Sequence, residues 1–172
     1  MFDAFRNLLL KSVMAPSRET LSAAGAKMYA TKCAETGISN LSQDSANKRA
    51  RRLLDENSDF LTSIDEGKKV DPLAVEKLSL PPLASSVFLQ YGSVMHGTSG
   101  FHFGEEHARR IGCSNWTVIG GDEDASYALV IRESAEQVYL DPALDGCSDE
   151  KVLVAPTICH WVILLHVVDD LH

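Results

Sequence analysis

Hydrophobic and polar positions separate most cleanly between Trp116 and Pro142, WTVIGGDEDASYALVIRESAEQVYLDP. Three apolar runs stand there: Thr117 to Ile119, Tyr127 to Ile131, and Val138 to Leu140. Gly120-Gly121-Asp122-Glu123-Asp124 separates the first two as a polar, glycine-rich break, and Arg132 to Glu136 separates the last two as a turn of hairpin length. Short Val-, Ile- and Tyr-rich runs bounded by Gly, Asp and Ser suit a pleated, half-buried surface, so the pattern predicts a three-stranded meander.

Before the meander the periodicity is mostly helical. Phe2, Phe5, Leu8, Leu9 and Val13 share one face of a helix that Pro16 stops. Ser17 is placed to cap a second helix, through Leu21, Ala24, Met28 and Ala30 to about Gly37, and a third runs from about Ser42 to Leu54. Residues 55–71 are polar and read as a hinge. Asp71-Pro72 opens a short helix, Leu80-Pro81-Pro82 is an extended break, and Leu83 to Tyr91 is helical again. Gly92 to Phe103 reads as a loop with a short strand near Gly100 to Phe103. Glu105 to Ile111 fits a short helix, acidic at its start and basic at its end. After the meander, Asp141 to Glu150 is a loop, Lys151 to Ala155 a strand and Pro156 to Leu171 a closing helix. The expectation is an α+β fold: a mostly antiparallel sheet of four to six strands between residues near 92 and 155, with helices packed on one side. Residues 1–70 would form an N-terminal helical extension and 71–172 the α+β domain, or the two would make one compact unit.

Charge sharpens this picture. The net charge is −8, from 16 Lys/Arg and 24 Asp/Glu. Residues 1–60 carry nine basic and seven acidic side chains, so all of the excess acidity lies in the part that holds the sheet, with seven basic and seventeen acidic side chains. An acidic surface repels nucleic acid and membranes and attracts basic partners. The basic run Lys48, Arg49, Arg51 and Arg52 has no aromatic interleaving and is followed at once by acids, which reads as a solvated helix face. No apolar run reaches the roughly 18 residues of a membrane span, and the N-terminus lacks an export-signal pattern. The four cysteines, Cys33, Cys113, Cys147 and Cys159, are irregularly spaced with no CxxC, which favours free thiols in a reducing, cytoplasmic setting over a disulfide framework or a zinc site.

From Leu80 onward the order of motifs resembles the SUKH superfamily. The residues that carry it are Leu80-Pro81, Phe88-Leu89, Gly92, Gly97, Ile119-Gly120-Gly121-Asp122, Val138-Tyr139, and Ala155-Pro156-Thr157 leading into Trp161-Val162-Ile163-Leu164. The resemblance covers about 90 residues, and residues 1–70 and the acidic Asp122-Glu123-Asp124 depart from it. It implies a small α+β domain, and the superfamily's toxin-immunity members imply binding and neutralising a toxin, often a basic nuclease.

Other constellations point elsewhere. His96-Gly97-Thr98 is similar to the nucleotide-binding segment of ADP-ribosyltransferases, in which the His binds a ribose hydroxyl of NAD; Tyr127 and Glu133 or Glu136 would complete such a site. Cys159-His160 are neighbours that point apart on a helix, so they make a poor thiolate–imidazole pair; Cys113 with His96 or His102 is the other Cys/His combination. His102, Glu106 and His107 contain metal-ligating types but lack a further ligand. The acidic loops lack the ligand ladder of a calcium-binding EF-hand. The leading expectation is a cytoplasmic, non-enzymatic immunity-type protein that needs no cofactor or metal and binds another, basic protein rather than nucleic acid or membrane. Asp122, Glu123, Asp124, Asp141, Asp145, Asp149 and Glu150 would form its electrostatic face, and Trp116 and Tyr139 its aromatic anchors. The alternatives are an ADP-ribosyltransferase-like enzyme using His96 and an acidic nucleic-acid mimic.

Overall fold

A computed structural model describes residues 18–112, 115–124 and 126–169. The expected helix over residues 2–13, the Ser17 cap and Cys113 lie outside them. The fold is α+β.

Helix α1 spans Arg18–Glu35. A 3₁₀ turn at Ile38–Asn40 leads to α2, Gln43–Glu56. Ser42 caps α2, its hydroxyl accepting from the Ser45 N–H at 3.2 Å. Strand β1 is Phe60–Thr62. Asp71 caps the short α3, Pro72–Lys77, by accepting from the Leu73 N–H. Helix α4 is Pro82–Tyr91. Its N-cap, Pro81, has no side-chain acceptor, and Glu136 supplies the acceptors instead: the Leu83 and Ala84 N–H groups donate to its carboxylate at 2.8 and 3.3 Å. The strands that follow are β2 Ser93–His96, β3 Phe101–Gly104, β4 Arg109–Arg110, β5 Trp116–Asp122, β6 Ala128–Arg132, β7 Ala135–Asp141 and β8 Val152–Ala155. Helix α5, Ile158–Asp169, closes the chain.

All pairings are antiparallel, in the order β1-β2-β3-β5-β6-β7-β8, with β4 paired beside β3 along β5. Eight strands exceed the expected four to six. The difference has three sources. Phe60–Thr62, inside the stretch read as a hinge, alternates buried and exposed and pairs with β2; the sheet is therefore continuous across residue 70. Ser93–His96, read as loop, is the partner of both β1 and β3. The charged segment 105–111, read as a helix, makes only a 3₁₀ turn at Glu105–His107 before Arg109 and Arg110 pair with Val118 and Thr117.

Gly120 and Gly121 are also strand rather than break. A Cβ on Gly120 would lie 2.0 Å from the His102 carbonyl oxygen, and one on Gly121 would lie 2.7 Å from that of Tyr127. Only glycine lets the neighbouring strands approach this closely.

The helices cover one face of the sheet. Helix α5 is buried all round over residues 158–165, where Ile158, Trp161, Ile163, Leu164 and Leu165 have no exposed area. It packs on β7 and β8 with α1 beside it, and α2 lies over it. Ala46 and Ala50 of α2 are fully buried, small side chains that permit that close approach. The opposite, outer face has its own small cluster of Val118, Ala128 and Val130, flanked by Ile111, Trp116 and Tyr139. The loop 142–150 folds across it. Gly146, at φ 75°, fits so tightly that a Cβ would meet Ile111 Cδ1 at 2.6 Å and Val118 Cγ2 at 2.9 Å.

Candidate interaction face

The strand register gathers three connections at one end of the sheet. Gly121 pairs with Ala128, Ala128 with Asp141, and Phe101 with Asp122. The β5–β6 turn, the start of the β7–β8 loop and the β2–β3 turn are therefore neighbours. The Glu123 N–H donates to the Gly100 carbonyl at 3.0 Å, tying two of them together.

The acidic residues divide by what their carboxylates do. Asp122 is half-buried, and its Oδ1 accepts from the Ser126 and Tyr127 N–H groups at 2.8 and 2.7 Å. Asp141 is fully buried. Its Oδ1 accepts from the Ala143 N–H at 2.8 Å, and its Oδ2 accepts from the Ser148 N–H at 3.2 Å and pairs with Lys151 Nζ at 3.1 Å. These two carboxylates are spent on shaping their loops. Asp141, expected on the binding face, is sealed from solvent and offers a partner no direct contact. Asp145 is exposed and turns its own loop by accepting from the Cys147 N–H. Glu123, Asp124, Asp149 and Glu150 are exposed.

Trp116 and Tyr139 do come together, edge to face at 5.0 Å on the outer face. Arg132 and Lys151 lie over the Trp116 ring, 5.4 and 5.1 Å from its centroid. The aromatic pair is thus flanked by cations. Trp116 also begins the strand that Asp122 ends, which puts the two about 20 Å apart at strand rise. The β5–β6 turn stays at the sheet's end, whereas the β7–β8 loop starts there and folds across the outer face to the aromatic patch, where Lys151 links Asp141 to Trp116.

His96 of β2 is fully buried. Its Nε2 lies 3.0 Å from Asp59 Oδ2 and its Nδ1 lies 2.7 Å from Ser99 Oγ. Phe60 packs on the ring. Thr98 Oγ1 and the Gly97 N–H also donate to Asp59, to its carboxylate and its carbonyl respectively. The network clasps the β2–β3 turn against the start of β1. A ribose would have no direct route to this imidazole, and Glu136 is engaged as the cap of α4. Sequence reasoning missed Asp59 because its partners lie about 40 residues away; the only local signal was the glycine-bracketed turn.

The remaining chemistry-bearing residues have local roles. Burial pushes the Cys159 thiol up to about 12, far from a reactive thiolate, and also raises Cys33. His160 is held by Thr157 Oγ1 at 2.8 Å and the Leu41 carbonyl at 3.1 Å. In the basic run, Lys48 pairs with Asp44, Arg52 with Glu56, and Arg51 bonds Asn47 and Ser86. Among the described residues no three His, Cys, Asp or Glu side chains converge to hold a metal ion. None of the described helices is long and apolar enough to cross a membrane. In comparisons with known proteins, no family model, no curated protein and no solved structure matches the chain.

Proposed function

We propose that the chain is a non-enzymatic protein-binding module of the immunity type, which neutralises a basic toxin by covering its active site. The observation that carries this reading is the register that places two acidic connections at one end of the sheet, with Glu123, Asp124, Asp149 and Glu150 exposed on them. Carboxylates held at one rim steer a basic surface during encounter. The internal bonds of Asp122 and Asp141 fix both connections beforehand, so little ordering cost falls on binding. The Trp116–Tyr139 pair provides aromatic area for a second, less charged contact. The SUKH-like order of motifs supports the same role, and the free thiols of Cys33, Cys147 and Cys159 suit the cytoplasm.

The test is to capture the partner on immobilised protein from the native cell, identify it, and measure association by stopped flow from low to high salt. The reading expects a basic partner whose on-rate falls on the order of tenfold across that range. Glu123→Gln with Asp124→Asn should slow association at low salt and leave high-salt rates alone. A partner of acidic surface, or an on-rate indifferent to both salt and substitution, defeats the reading.

A further inference from the structure

The seam between α1 and β8 holds an unfilled hollow of about 180 Å³. Ala30, Cys33 and Ala34 line it from α1, Leu153 and Val154 from β8, and Gln137 from β7. The alanines explain it: side chains of one carbon leave the space between helix and strand empty. β8 is an edge strand, paired with β7 alone. Leu153 is 44% exposed and Ala34 is exposed as well, so the hollow opens to solvent. An apolar cavity of about 150 Å³ holds a benzene-sized group. This one therefore has room for a side chain of leucine or phenylalanine size.

Leu153 is the cross-strand partner of Tyr139, so the two side chains leave the same face of the sheet. The Tyr139 hydroxyl donates to Gln137 Oε1 at 3.1 Å. The hollow thus continues the Trp116–Tyr139 pair to the edge of the sheet. A single exposed leucine needs no explanation. One that lines an open hollow beside an aromatic pair has the make-up of an interface anchor. Charge fixes the kind of partner. Asp149 and Glu150, both exposed, run directly into β8. Chain length alone keeps the Glu150 and Leu153 Cα atoms within about 11 Å of each other. Lys32, next to Cys33, is neutralised by Glu35 at 3.0 Å. We propose that the hollow is the apolar anchor pocket of the binding interface. The partner seats one aliphatic or phenyl side chain there and sets a neighbouring Lys or Arg against Asp149 and Glu150. This rests on the binding role proposed above and adds what that partner must present.

The experiment places the photo-crosslinker p-benzoylphenylalanine in the full chain, in its native cell, either at Ser39 on the hollow or at Glu123 on the acidic rim. Both positions should crosslink the same basic protein. The Ser39 adduct should map to a Leu, Ile, Met or Phe with Lys or Arg beside it. With that protein purified, Ala34→Leu, which fills the hollow, should raise the dissociation rate about tenfold or more and leave the salt dependence of association unchanged. An unchanged circular dichroism spectrum and thermal midpoint confirm that this variant folds. Crosslinking from Glu123 but not from Ser39, or a dissociation rate unmoved by Ala34→Leu, overturns the pocket and leaves the binding role standing. A Ser39 crosslink to a second copy, or to residues 1–17 of the same chain, overturns the pocket too. No crosslink from either position defeats both.

Discussion

Replacing Asp141 by Asn tests the reasoning about the outer face most directly. The carboxylate is fully buried and the Lys151 side chain is 11% exposed, with 3.1 Å between their charged atoms. Asn can still accept from the Ala143 N–H through one oxygen. It cannot both accept from the Ser148 N–H and neutralise Lys151, which is left as an uncompensated charge. Breaking a buried pair on one side typically costs about 3–5 kcal/mol. Because Lys151 keeps some exposure and the Ser148 carbonyl as an acceptor, the lower end, about 3 kcal/mol, is expected. In a domain of this size that lowers Tm by roughly 6–12 °C. Urea unfolding followed by circular dichroism measures the change, and the double variant Asp141→Asn with Lys151→Gln should recover part of it. Loss of less than about 1 kcal/mol, or no recovery in the double variant, would mean that the pair does not hold the β7–β8 loop.

Three further outcomes follow from the packing. Glu136→Ala removes both acceptors from the N-terminus of α4 and should cost about 1–2 kcal/mol by urea unfolding. Gly120→Ala drives a methyl to within 2.0 Å of the His102 carbonyl and should cost about 3 kcal/mol, whereas Gly112→Ala meets nothing within 4 Å and should leave the thermal midpoint nearly unchanged. Burial raises the folded-state values of Cys159 and Tyr91 to about 12, from 9.0 and 10.0. Between those limits the folded state holds protons that the unfolded chain releases, so stability is intact below pH 9 and falls as pH rises, by about 1.4 kcal/mol per pH unit for each group. Cys159→Ala and Tyr91→Phe should each flatten that alkaline slope in urea midpoints; a slope unchanged in both would contradict the assignment.

Most of the helices and the central meander were legible because their signals are local. The spacing in 42–54 and 83–91, the Asp71-Pro72 cap and the apolar runs after Trp116 need no distant partner to be read. The errors share the opposite property. Phe60–Thr62 is too short to show a period and becomes a strand because β2 lies beside it. The charges of 105–111 suit a helix terminus, but Thr117 and Val118 supply the pairing that extends Arg109 and Arg110. Gly120 and Gly121 read as a break, yet they are the positions where backbones crowd.

The candidate site divides along the same line. The sequence alone determined that acidic residues concentrate around the sheet, that Tyr139 sits on a strand and that Trp116 stands next to one, because residue type and alternation are properties of neighbours along the chain. Only the tertiary structure decided that Asp141 is buried against Lys151, that Glu123 and Asp149 stay exposed, and that His96 is closed off by Asp59 and Ser99. Solvent access and hydrogen-bond partners depend on chain brought in from elsewhere, and long-range pairing is what the order of residues does not state.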